Sequence, residues 1–293
     1  MTNIQKSAVL VRLNISQWGG EKIDKAVSDE VATNKNAKDG AGRYVKKLIV
    51  GSQLKEISTL VGKARNVNKA QTLKYLEGRD LLPVTNFDGH SEIIGNYKSV
   101  FDGLVDEFLS DYEKHRDAQQ LRLGDMFNQY DYPTVDELRD KFNFTISYEP
   151  LADGNQFDKM FGSEELEKQL IEQAEADMQS KIDEAMRDLW GRLIKRVKDF
   201  NHKMNKFEPA VKGVSRQVEG FKGSLVENIR EICDVLPRLN VTGDADLAKF
   251  ASTVQAELSH YDVEDLKQDD VLRKQAADKS QAILDQMMDV YGG

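Results

Sequence analysis

The sequence predicts an α+β protein, predominantly α, with a small antiparallel sheet in the N-terminal half followed by a long-helix hairpin or bundle. Three observations predict it. Apolar residues alternate with period two over Ser7–Ile15 and again from Phe142 to Tyr148, as strands do when one face is apolar. A stripe running from Met178 to Phe207 recurs at a mean period of about 3.6, the spacing of a nearly straight amphipathic helix rather than a heptad seam. No proline lies between Pro150 and Pro209, and from Ser163 to Glu208 the only glycine is Gly191, so little in the backbone chemistry interrupts that helix. The expected division is an α+β region over 1–160 and a helical hairpin or bundle over 161–293.

Each element has its own signal. In the first strand Val9, Val11, Leu13 and Ile15 share the apolar side, and Trp18-Gly19-Gly20 ends it. Ile23, Ala26, Val27 and Val31 recur at helical spacing, and Lys38–Gly42 is a loop. Tyr44–Val50 fits strand or helix equally, whereas Ile57, Leu60, Val61 and Ala64 mark a short helix. Leu73–Pro83 is two apolar runs around Glu77-Gly78, a hairpin whose Pro83 confines the second strand to an edge or places it at the strand's end. From about Ser91 to Leu123 the residues Tyr97, Phe101, Leu104, Phe108 and Tyr112 describe a long amphipathic helix. Thr134 and Glu137 form a capping box for a short helix. The Phe142–Tyr148 strand follows, with the first strand as its expected neighbour and Pro150 as its end. Ser163 is the expected N-cap of the long helix, whose stripe is Met178, Ile182, Ala185, Leu189, Leu193, Val197, Phe200, Met204 and Phe207. A second helix is expected from Pro209 to Pro237, with Gly213 and Gly220 on one side. A third carries Leu247 to Tyr261 and a last one Ala276 to Val290.

The chain has 293 residues and a net charge of −9, with 40% hydrophobic and 31% charged residues. That composition supports a folded core and excludes collagenous or disordered classes. No run is long and apolar enough for a bilayer, and the stretch Ala8–Ile15 is broken by Arg12 and lacks a leader's cleavage pattern. A single cysteine, Cys233, forms no intrachain disulfide, so a cytoplasmic location is expected, without membrane association. The four histidines are isolated, which gives no metal site. His90-Ser91-Glu92 lacks the Pro-Cys-x-x-Cys half of a zinc deaminase signature. Gly40-Ala41-Gly42 lacks the third glycine of a dinucleotide fingerprint, and neither a Walker A motif nor a Gly-x-Ser-x-Gly elbow occurs. Neither catalytic residues nor cofactors are therefore nominated.

Charge is segregated instead. Residues 1–75 carry a net +8, residues 76–180 a net −15, residues 181–222 a net +5 and residues 223–293 a net −7. Arg43, Lys46, Lys47, Lys55, Lys63, Arg65, Lys69 and Lys74 lie in a stretch whose only acid is Glu56, with Tyr44 and Tyr75 interspersed. Cations beside aromatic platforms suit single-stranded nucleic acid, and the same cations suit an acidic protein surface, including the chain's own acidic block.

Four features recur in a fixed order: Asn14-Ile15-Ser16-Gln17-Trp18-Gly19-Gly20, Leu81-Leu82-Pro83, the helix with Phe101, Phe108 and Tyr112, and Phe142-Asn143-Phe144. In this the chain, over roughly residues 7–150, resembles a family of uncharacterised proteins from tailed phages and bacteria, a domain of unknown function. Members of that family are often encoded beside MoxR-type ATPases and von Willebrand factor A-type proteins. The resemblance implies a phage-encoded protein of the host cytoplasm and a partner in an ATPase assembly or remodelling system. It supplies no catalytic residues. The expected function is that of a non-enzymatic cytosolic interaction or scaffold protein whose bundle serves oligomerisation or partner docking. The alternative is nucleic-acid binding through the 43–75 block.

Overall fold

A computed structural model describes residues 6–38, 40–151, 164–207 and 222–291. In chain order the elements are β1 (Ala8–Ser16), β2 (Glu21–Asp24), α1 (Lys25–Asn34), β3 (Tyr44–Lys47), α2 (Ser52–Gln71), β4 (Leu73–Leu76), β5 (Arg79–Pro83), α3 (Phe87–Leu123), α4 (Val135–Arg139), β6 (Asn143–Pro150), α5 (Glu164–Lys206), α6 (Ser224–Leu239), α7 (Ala245–Leu258), α8 (Val263–Gln268) and α9 (Asp270–Tyr291). The fold is α+β and predominantly α, with a small sheet first and long helices after it. Four strands form one sheet in the order β4-β5-β1-β6, and β2 pairs with β3 in a separate ribbon. By compactness the chain forms two units, one of residues 1–12, 69–88 and 148–293, the other of residues 13–68 and 89–147. The expected cut near residue 160 is linear, whereas each of these units gathers separate stretches.

The first unit is built on α5. Its stripe from Ile182 to Met204 is buried, with Met178 and Phe207 partly so, and the helix runs unbroken through Gly191. Val226, Ile229, Cys233, Leu236 and Leu239 of α6 share the same core with Leu247, Phe250, Val254 and Leu258 of α7 and Ala276, Ile283 and Met287 of α9. Burying each large side chain contributes about 1.5–3 kcal/mol. The β4–β5 hairpin belongs to this core through Leu73 and Leu81, and Leu10 sits opposite Leu81 across the β1–β5 pair. Gly78 turns the hairpin at φ +71°, a conformation that L side chains adopt only at a cost. Pro83 is the final residue of β5, paired with Ala8, in a strand that has neighbours on both sides.

The second unit packs α2 and α3 with the aromatic residues after them. Ile57, Val61 and Ala64 of α2 are buried with Ile94, Phe101, Val105, Phe108 and Tyr112 of α3. Tyr132, Leu138 and Phe144 complete this core, and Phe101 lies 5.5 Å from Phe144 between ring centroids. Two phenols anchor the connecting turns: Tyr112 donates to the Pro133 carbonyl at 3.0 Å and Tyr132 to the Leu48 carbonyl at 3.0 Å. Gly20 has φ +65°, and a Cβ there would stand 2.7 Å from Leu54 Cδ1. Its carbonyl accepts from the Leu48 N–H at 2.8 Å, and its positive φ is the conformation that glycine adopts without steric cost.

Several expectations change. β1 has no solvated face at its start: Ala8 and Leu10 belong to the first core, Leu13 and Ile15 to the second. Ile23 lies in a strand, because β2 pairs with β3 from Glu21 to Asp24 before α1 begins with Asp24 as its N-cap. That pairing also resolves 44–47 as strand. The helix α2 is long rather than short, at 20 residues. Pro237 lies inside α6, where the buried Leu236 and Leu239 on either side hold the last turn against the missing N–H. The short α8 was unmarked by any apolar period. Ser163, Pro209, Gly213 and Gly220 lie outside the described residues. The capping box is present as expected, with Thr134 Oγ1 accepting from the Glu137 N–H and the Glu137 carboxylate accepting from the Thr134 N–H at 2.8 Å.

Candidate functional site

Of the eight cations singled out by sequence, seven are exposed and one, Lys46, is buried. Arg43 is exposed ahead of β3, Lys46 and Lys47 are in β3, Lys55, Lys63, Arg65 and Lys69 are on α2, and Lys74 is in β4. Lys69 and Lys74 fall in the first unit and the other six in the second.

Lys46 is the clearest departure, because it is only 4% exposed. The register of the ribbon sets Lys22 opposite Lys46, an unfavourable pairing of like charges unless an anion lies between them. Asp131 supplies it, 2.6 Å from Lys22 Nζ and 2.5 Å from Lys46 Nζ. Asp24 stands 3.0 Å from Lys46 Nζ, and the Met126 carbonyl accepts from the same nitrogen at 3.0 Å. Three acceptors thus meet the three N–H bonds of one ammonium. Burial pulls the Lys46 pKa down, and the hydrogen bonds to Asp131 and Asp24 outweigh it, holding the group above its ordinary value. The Lys46 hydrogen bond, aided by the Val27 N–H, holds the Asp24 carboxyl below the usual range. For Asp131, burial pushes upward but Lys22 and Lys46 prevail and the carboxyl is lowered. A lysine kept protonated this way is neither a nucleophile nor a free phosphate ligand. It is where the basic N-terminal block meets the acidic block, through Asp131.

Arg65 is partly engaged too, donating to the Ile15 carbonyl at 2.7 Å. Lys47 is exposed, and its carbonyl accepts from the Arg122 guanidinium. The aromatic platforms are also limited. Tyr75 packs against the helical core, and burial raises its phenol pKa.

Four of the eight cations lie on one element. Over its 20 residues α2 carries Lys55, Lys63, Arg65 and Lys69 against Glu56 alone. Its buried residues Ile57, Val61, Ala64 and Asn68 turn one side inward, which leaves Lys55, Thr59 and Lys63 on the outer side at helical spacing. Between α2 and α3 lies an open groove of about 450 Å³, lined by Ser52, Lys55, Glu56, Thr59, Leu60, Lys63 and Leu104. Lys55 and Lys63 are two turns apart, about 12 Å along the axis. Leu60 and Leu104 supply an apolar floor between them. Nearby, the two helices are tied by Gln53, whose side chain meets His115 Nε2 at 2.8 Å and Glu107 at 3.5 Å.

Other titratable groups serve the fold. His90 is fully buried against the Asn68 amide at 3.0 Å, and burial lowers its pKa. Cys233 is buried, and burial raises its thiol to about 11. Among the described residues no group of three or more His, Cys, Asp or Glu is placed to hold a metal ion. No helix of the described residues is long and apolar enough to cross a membrane. Two components of the groove were missed from sequence as site residues. Leu60 and Leu104 carried only the signal of helical period, which says that each seeks a neighbour and not which one. Asp131 gave no signal at all, being one acid among 50 Asp and Glu.

No family model matches the chain, and neither a curated protein nor a solved structure matches it.

Proposed function

We propose that the chain is a non-enzymatic interaction protein that docks an acidic, apolar-anchored segment of a partner protein along the outer side of α2. The observation that carries this reading is the groove in which Lys55 and Lys63 flank Leu60 and Leu104. Two cations a fixed distance apart select carboxylates and steer association, while the leucine floor rewards an apolar side chain between those carboxylates. The stripe of α5 is consumed by the chain's own core, so the reading rests on α2 and not on the bundle. Nucleic acid is the less favoured ligand, because Lys46 is buried in ion pairs and Tyr75 is packed inward.

The test uses the full chain with two probes, a peptide of alternating Glu and Leu residues and a fluorescent single-stranded oligonucleotide. The peptide is expected to bind, to weaken as salt is raised, and to lose about tenfold in affinity in the Lys55→Glu/Lys63→Glu variant. Both substitutions are at exposed positions, so the fold is expected to survive. Binding of the oligonucleotide alone would replace the proposal with the nucleic-acid reading, and binding of neither probe would overturn both.

A further inference from the structure

A second cavity, in the first unit, has a different chemistry. It is an open cleft of about 730 Å³ lined by α5, the α6–α7 turn, the start of α7 and the end of α9, within the size range of small-molecule sites. Two aromatic rings form part of the wall: Trp190 and Tyr291, with centroids 5.8 Å apart and planes tilted by 38°. Three carboxylates, Asp183, Asp244 and Asp246, and a single cation, Arg187, are among the lining residues. That leaves an excess of two negative charges around an aromatic wall.

The site is held in place before any ligand arrives. Asp244 caps α7 by accepting from the Leu247 N–H at 3.0 Å, and its other oxygen accepts from Trp190 Nε1 at 2.8 Å. The Trp190 ring is further fixed edge-on by Phe250 at 5.8 Å. Tyr291 remains 39% exposed and Trp190 only 6%, so Tyr291 is the ring within a ligand's reach and Trp190 backs it. Asp183 is turned toward Gln179, whose amide donates to it at 2.8 Å, and is exposed, as is Asp246.

The spacing of the acids decides which cation fits. These carboxylates do not form a group able to hold a metal ion. A compact divalent ion would need several oxygens within about 2.0–2.6 Å of one point. Acids spread around an aromatic wall instead suit a cation whose charge is carried on a carbon chain. Its methylenes can lie against the exposed Tyr291 while its charged end meets a carboxylate.

From this geometry we infer that the cavity binds an organic cation, an alkylammonium or guanidinium group on an extended ligand. Two sources share that chemistry, a free polyamine and a basic side chain of a peptide.

The chain has two tryptophans, so Trp18→Phe leaves Trp190 as the reporter inside the cavity. In that background spermidine, a pentalysine peptide and magnesium chloride are titrated separately, with Trp190 emission and calorimetry as readouts. Spermidine, pentalysine or both shift the emission and bind, while magnesium does neither. Binding of spermidine alone assigns the free amine, and binding of pentalysine, alone or together, admits the peptide-borne source. Asp183→Asn/Asp246→Asn and Tyr291→Leu, all at exposed positions, are each expected to weaken binding at least about fivefold. The inference is overturned if neither organic cation binds, if magnesium binds equally, or if the variants bind as tightly as the parent.

Discussion

Replacing Lys46 by methionine tests the ion-paired centre of the second unit quantitatively. The substitution keeps an unbranched side chain reaching as far as the last methylene and removes an ammonium that meets Asp131 at 2.5 Å, Asp24 at 3.0 Å and the Met126 carbonyl at 3.0 Å. Breaking a buried pair from one side costs about 3–5 kcal/mol, because the other charge is left without its counterion. Here neither acid is wholly orphaned. Asp131 keeps Lys22 at 2.6 Å, and Asp24 keeps the Val27 N–H at 3.2 Å. The expected loss therefore sits at the low end, about 3 kcal/mol. Denaturant unfolding measures it, with hydrogen exchange of the Leu48 and Ile49 amides reporting the second unit specifically. Lys47→Met, one residue away and exposed, is the control and should change stability by no more than about 0.5 kcal/mol. The effect also has a defined pH dependence. The carboxyls of Asp24 and Asp131 are lowered from 3.8, so their contribution is present above that value and is lost as pH falls through the depressed values. The Lys46 ammonium is raised above 10.5, so its contribution is complete below 10.5 and fades only as pH rises past the raised value. The gap between parent and variant should therefore be constant near neutrality and close in strong acid. A loss below about 1 kcal/mol at neutral pH, or a gap that widens on acidification, would refute the reasoning.

Three further outcomes follow from the cores and caps. Leu193→Ala removes a fully buried side chain from the α5 stripe and should cost about 2–5 kcal/mol in denaturant unfolding. Thr134→Ala breaks the capping box of α4 and should cost about 1 kcal/mol by the same assay, with faster amide exchange at Glu137. The Cys233 thiol, raised to about 11 by burial, should resist alkylation in the native protein at mildly alkaline pH and react once denaturant is added.

Local periodicity carried most of the fold. The stripe of α5 was legible residue by residue because a helix that buries one side must repeat its apolar positions, and each position from Ile182 to Met204 is buried. The hairpin at Gly78 was legible because two apolar runs flank a residue suited to positive φ. Ribbon β2–β3 was not, because its one buried side chain, Lys46, is charged. Lys22 and Lys46 point toward Asp131, while Ile23 and Val45, opposite one another, are about half exposed. That inverts the usual pattern, so Ile23 looked like part of a helix. Lys46 was chosen from sequence for its charge and proved buried for the same reason, since Asp131 lies 85 positions further on in the numbering. For the groove, the cations Lys55 and Lys63 were legible and the partner helix was not. Helical period shows that Leu104 is apolar-facing without showing that it adjoins Leu60.

The docking role proposed for α2 is tested most directly by a photocrosslinking amino acid placed at Thr59, between Lys55 and Lys63 in the groove, in the full chain expressed in its native cells. Sequencing the crosslinked product should find a protein segment of net negative charge with an apolar residue at the point of attachment, and introducing Lys55→Glu/Lys63→Glu should abolish the crosslink. Crosslinks only to nucleic acid, or protein crosslinks that persist unchanged in the charge-reversed variant, would contradict it.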